Sequence, residues 1–172
     1  VSQHPVTTEF GKNRFAIEET LHALKELQMP TIMLWPNADA GSDEISKGIR
    51  TFREKYKPEW LHVFTNLSFE MYLRLMNMTA CLIGNSSSGV REGEFIGTPV
   101  VDIGTRQNRR LKGSNCLEVP TDRQAIRNAV QFQIGHGRYQ SQALYGDGRA
   151  GTKIADILAS VEVRHVQKTI AY

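Results

Sequence analysis

The stretch ACLIGNSSSGVREGEFIGTPVVDIGTRQ, residues 80–107, decides the fold. ACLIG (80–84) and TPVVDI (98–103) are continuous apolar runs of strand length. Between them the spacing predicts a helix from about Ser87 to Ile96. Strands that read as unbroken apolar runs, joined through a helix, are buried on both faces and belong to a parallel sheet.

The same alternation extends in both directions. Upstream, residues 5–14 read as a loop, and Ile17, Leu21, Leu24 and Gln28 then follow helical spacing, with Glu18 and Glu19 in the early turns. TIMLW (31–35) is a strand, and Ser42 is placed to cap a helix whose apolar face is Ile45, Ile49, Phe52 and Tyr56. LHVF (61–64) is the next strand, and Ser68 opens a helix with Phe69, Tyr72, Leu73 and Met76 on one face. Downstream, CLEV (116–119) is a fifth strand. Thr121 and Gln124 fit a capping box for a helix that turns Ile126, Ala129, Val130 and Ile134 inward. Ile154, Ile157, Leu158 and Val161 mark a last helix, and residues 162–172 form a tail without period. The expected architecture is one α/β domain over residues 1–161: a Rossmann-like parallel sheet with helices on both faces.

The chain has 172 residues and a mass of 19.4 kDa, enough to bury roughly 70% of its unfolded surface in a single core. Its 40% hydrophobic and 23% charged residues exclude disorder and low complexity. A net charge of +3 gives no footing for nucleic acid. The charge is uneven: residues 1–86 hold 9 basic and 10 acidic side chains, and residues 87–172 hold 12 and 8. Arg106, Arg109, Arg110 and Lys112 supply much of that excess. No apolar run approaches the ~20 residues of a membrane helix, and VSQHPVTTEF is not a signal peptide. Cys81 and Cys116, each in an apolar stretch, read as buried free thiols of a cytoplasmic protein. The chain begins with Val, and its first residues read as the end of a strand, as in a piece of a longer protein.

In a parallel sheet, ligands sit beyond the carboxyl ends of the strands. The loops there are HPVTTE (4–9), PNADAGS (36–42), TNLS (65–68), GNSSSGVRE (84–92) and GTRQ (104–107). GNSSSG sets free amides and the Ser86 and Ser87 hydroxyls at a helix start, which suits an anion; it equally suits a plain turn with a serine cap. Glu92 is either a solvated carboxylate or an acceptor for two vicinal hydroxyls, as in a ribose. Arg106 lies directly after a strand, where a phosphate would sit. The five histidines show no metal-ligand spacing. Gly146 to Gly151 matches G-x-G-x-x-G but follows no strand and lacks an acidic partner, so it is not a dinucleotide fingerprint. No Walker A loop, zinc-protease motif or nucleophile elbow is present. The residues call for an anionic, hydroxyl-bearing ligand such as a nucleotide diphosphate, with no metal and no cofactor.

QHPVTTE (3–9), PNADAGSDE (36–44), GNSSSGVRE (84–92), GTPVVDIGTRQ (97–107) and YGDG (145–148) resemble, in order, the C-terminal half of hydrolysing UDP-N-acetylglucosamine 2-epimerases. Non-hydrolysing relatives carry His-Arg with Glu-Asn soon after, where this chain has His4-Pro5-Val6-Thr7-Thr8-Glu9. The resemblance implies the second domain of a two-domain glycosyltransferase-B arrangement, with the catalytic carboxylates in an N-terminal domain outside this chain. It implies that Ser86 and Ser87 bind the diphosphate of UDP or a UDP-sugar and Glu92 the ribose. Asn37, Asn66 and Leu67 would lie by the nucleotide, Arg106 would help hold it, and catalytic His4 would sit at the sugar–diphosphate junction. It also implies a homodimer when full length, and no membrane partner. Two other readings share these residues: a non-catalytic sugar-nucleotide-binding module, and the C-terminal domain of a glycosyltransferase.

Overall fold

Five short parallel strands frame the computed structural model, which describes residues 1–162. They are β1 (Thr31–Leu34), β2 (Leu61–Phe64), β3 (Leu82–Gly84), β4 (Val100–Ile103) and β5 (Cys116–Val119). The helices are α1 (Asn13–Leu27), α2 (Ser42–Tyr56), α3 (Phe69–Met78), α4 (Ser87–Val90), α5 (Glu92–Ile96), α6 (Arg123–His136) and α7 (Ala150–Ser160). β1 pairs with β2, and β3, β4 and β5 pair in that order, all in parallel. Val1 and Ser2 join the two sheets. Leu34 N donates to Val1 O (2.9 Å), while Ser2 N donates to Ile83 O (2.9 Å) and Asn85 N to Ser2 O (3.1 Å). The opening residues therefore do behave as a strand end.

Alternation along the strands sorts the core into two layers, because successive side chains leave a strand on opposite faces. Ile83 and Val101, paired across β3 and β4, pack with Ile17 and Leu21 of α1, Ile45 and Ile49 of α2 and Ile126 and Val130 of α6. Leu82 and Val100, the preceding pair, pack against Met76 and Leu73 of α3 and Ile96 of α5. Both faces of the sheet are covered, as the unbroken apolar runs demand. The fold is α/β and Rossmann-like.

Several local expectations shift. β3 and β4 are shorter than their apolar runs, since Pro99 has no N–H for the ladder and supplies only its carbonyl, to Leu82 N at 2.8 Å. Ser42 does not cap α2: the cap residue is Gly41 in the left-handed region (φ 91°), and no side chain caps the end. Thr121 does not cap α6 either, for Asp122 accepts from Ala125 N at 2.8 Å instead. Ser68 caps α3 as expected, accepting from Met71 N. The single helix expected over 87–96 breaks at Arg91 (φ −97°, ψ −73°), so Glu92 opens a second short helix.

α7 forms, but Ile154, Ile157 and Leu158 are 56%, 61% and 68% exposed, so the apolar face expected to pack is uncovered. Val161 lies just beyond the helix end. Cys81 and Cys116 are free but only half-buried; desolvation pushes both thiols up to about 12, which leaves them un-ionised at neutral pH. Of the expected tail, residues 163–172 lie outside the described residues. Among the described residues, no helix is long and apolar enough to cross a membrane.

Candidate functional site

With every strand parallel, the post-strand loops gather at one edge of the sheet. Asn85 links three of them. Its Oδ1 accepts from His4 N (2.7 Å) and its Nδ2 donates to His4 O (2.9 Å), a two-point clamp on the main chain of one residue. Its carbonyl accepts from Gln107 Nε2 (2.7 Å) and Arg106 Nη1 (3.1 Å). Asn85 and Gln107 are 3% and 1% exposed. Buried polar groups must find partners or cost about 1–3 kcal/mol each, so this crossing fixes the relative placement of the 1–4, 85–88 and 104–107 segments.

His4 is buried within that crossing. Asn37 N–H donates to its Nδ1 at 3.2 Å, and its Nε2 lies 3.2 Å from Ser2 Oγ. A ring nitrogen that accepts from a main-chain amide carries no proton, so the neutral ring holds its proton on Nε2 and donates it to Ser2. Burial first, and the Arg106 guanidinium second, hold the imidazole below its usual 6.5, against the opposing pull of Asp39. His4 is therefore a neutral hydrogen-bond donor at neutral pH.

The serine loop stands next to it. Ser86 caps α4, accepting from Ser88 N, and its Oγ lies 2.9 Å from Ser88 Oγ. Tyr72 OH lies 2.5 Å from Ser88 Oγ on the other side. Ser87 is half-buried at the first position of α4. Arg106 spans from Asn85 O toward Asp39, with Nη2 3.9 Å from Asp39 Oδ2. The edge thus brings together His4, Asn37, Ser86, Ser87 and Arg106.

Asn66 and Leu67 form a turn of their own after β2, where Asn66 Oδ1 accepts from Leu67 N at 2.9 Å. Glu92, the first residue of α5, lines an open groove with Phe69, Leu73, Phe95 and Tyr145, and Phe69 and Phe95 are largely exposed there.

Sequence reasoning missed Asn85, Gln107, Ser88 and Tyr72. Asn85 and Gln107 each stand beside a residue that was singled out, yet their partners lie 81 and 22 positions away. The basic group after β4 is also less uniform than a solvated loop. Lys112 is 10% exposed and pairs with the buried Asp102 at 2.9 Å and with Glu118. Burial draws the Lys112 ammonium down, but its bonds to Glu118 and Asp102 outweigh that and raise it. Among the described residues, no three His, Cys, Asp or Glu side chains group to hold a metal ion.

The family described as UDP-N-acetylglucosamine 2-epimerase matches residues 1–159. A UDP-N-acetylglucosamine 2-epimerase of Neisseria meningitidis is 29% identical over 95% of this chain and 43% of its own length. A polysialic acid biosynthesis protein of Escherichia coli is 33% identical over 75% of the chain and 33% of its own. A GDP/UDP-N,N'-diacetylbacillosamine 2-epimerase (hydrolyzing) of Campylobacter jejuni is 31% identical over 69% and 31%. The chain spans less than half the length of these relatives.

Proposed function

This chain belongs to the UDP-N-acetylglucosamine 2-epimerase family, and from that premise we propose that it is the UDP-binding half of a hydrolysing epimerase. The observation that carries the reading is the convergence of His4, Arg106 and the Ser86–Ser87 loop on Asn85 at the carboxyl edge of the sheet. Serine hydroxyls, a guanidinium and a neutral imidazole donor suit a diphosphate. The hydrolysing branch is supported by HPVTTE at residues 4–9.

The reaction is elimination followed by hydration. A base removes the proton from C2 of the sugar while the C1–O bond breaks, releasing UDP and a glycal. Water then adds across the double bond, hydroxyl to C1 and proton to C2 from the other face, giving N-acetylmannosamine. The acids and bases acting at carbon belong to an N-terminal domain closing over this edge in a two-domain, glycosyltransferase-B arrangement, which pairs as a homodimer. This chain's part is to bind UDP and to stabilise the charge that grows on the departing diphosphate. His4 meets that oxygen by turning its Nε2–H from Ser2 Oγ to the departing diphosphate, while Asn37 N–H keeps Nδ1 the acceptor.

The 172-residue chain is expected to bind UDP and to bind N-acetylglucosamine far more weakly, because few of these groups suit a sugar ring. Titration calorimetry with each ligand tests this. The absence of heat with millimolar UDP would overturn the reading.

Glu92 extends it to the ribose. Among the described residues no hydrogen bond or ion pair engages its carboxylate. A carboxylate accepting two hydroxyls makes charge-assisted bonds worth roughly 1.5–3 kcal/mol. Glu92→Gln should therefore weaken UDP by about tenfold or more, while pyrophosphate, which has no ribose, binds as before or slightly better. Equal losses for both ligands would assign Glu92 to structure alone.

A further inference from the structure

We propose that Asn85 is the positioning residue of this site, holding His4 in one tautomer and in register with the phosphate-binding serines. The proposal rests on the reading that His4 and the serine loop meet a diphosphate.

The geometry carries it. Asn85 grips His4 by both of its main-chain hydrogen-bonding groups, at 2.7 and 2.9 Å. With the His4 main chain held there, the imidazole stands where Nδ1 meets Asn37 N–H and Nε2 meets Ser2 Oγ, each at 3.2 Å. The next residue along the chain is Ser86, the cap of the serine loop. A single buried side chain thus sets the distance between the imidazole and the hydroxyls. Its carbonyl adds the third group, since Arg106 Nη1 donates there at 3.1 Å and Gln107 backs the same oxygen at 2.7 Å. No other side chain among the described residues hydrogen-bonds directly to the main chain of His4. Losing this clamp would leave the ring free to turn, and the two neutral tautomers would mix.

A structural role and a positioning role separate by ligand. Removing the clamp should weaken UDP, whose phosphates need His4, the serines and Arg106 in register, and should spare uridine, which has none. Asn85→Ala does so without adding charge. Calorimetry on the 172-residue chain should show UDP about tenfold weaker or more, with uridine changed less than twofold. Parallel losses of UDP and uridine, or none for either, would overturn the proposal.

Asn85→Leu, similarly branched at Cγ, removes both the acceptor for His4 N and the donor to His4 O without adding charge. Its readout is nitrogen NMR of the His4 ring. The wild-type chain should show Nδ1 bare and Nε2 protonated, and the variant should show the two tautomers averaged. An unchanged ring pattern in the variant would overturn the proposal. That measurement needs no ligand. If the wild-type chain fails to bind UDP, the functional reading falls while the ring pattern still decides the role of Asn85.

Discussion

Gly84→Ala is expected to lower stability by about 3 kcal/mol or more, adding the strain of a left-handed alanine to the clash it creates. Gly84 has φ +133° at the end of β3, and an added Cβ would lie 2.2 Å from Ser2 O and 2.6 Å from Ser2 C. Those are backbone atoms held by Ser2 N to Ile83 O and Asn85 N to Ser2 O. They can retreat only by breaking the join between the two sheets, and His4 would move with them. In a domain of this size the loss corresponds to a melting temperature lower by roughly 6–12 °C, accompanied by loss of UDP binding. Gly135→Ala is the control. It lies within α6, where an added Cβ meets nothing within 4 Å, so the change should be neutral or slightly stabilising. A Gly84→Ala melting point within 2 °C of wild type would refute the argument.

That glycine shows where sequence reading stops. The strands and their two covered faces were legible because ACLIG and TPVVDI are unbroken apolar runs, a pattern carried by neighbouring residues. The edge where ligands belong followed from parallel strands alone, and it placed His4, Arg106 and the serine loop in one region. What joins them was hidden. Asn85 lies inside GNSSSGVRE, but its role depends on His4, 81 positions away, and no local period marks such a pair. Gln133 is a second case: fully buried, it donates to Val100 O and Asn115 O at 2.7 and 2.9 Å and looks on paper like a solvated helix glutamine. Helix ends slipped by one residue, Gly41 for Ser42 and Asp122 for Thr121, because adjacent residues could each supply a cap or the turn before it. The apolar period of α7 predicted the helix correctly but not its covering, since amphipathicity says which face is apolar and nothing about what lies opposite.

His4 carries the largest expected effect on catalysis. In the two-domain protein proposed above, His4→Ala should lower kcat by about 10²–10⁴-fold, while the affinity for UDP changes much less. Charge on the leaving diphosphate grows as the C1–O bond breaks, so a donor aimed there interacts more strongly with the transition state than with the ground state. Such a group governs kcat rather than uniform binding. The neutral ring fits that task as a hydrogen-bond donor that costs no charge burial beside Arg106. The same depression gives an independent signature in the 172-residue chain. Folded His4 takes its proton below 6.5 and unfolded His4 near it, so just under pH 6.5 the unfolded state binds more protons. Stability from this residue is present above that window and is lost as pH falls through it. His4→Ala should flatten that part of the melting-temperature profile relative to wild type, a difference that cancels the contribution of His22, whose pKa is also lowered. If His4 only closes the strand end, the alanine variant would melt lower at every pH yet keep its kcat in steady-state UDP release. That pair of results would remove His4 from the chemistry and leave it a structural residue under Asn85.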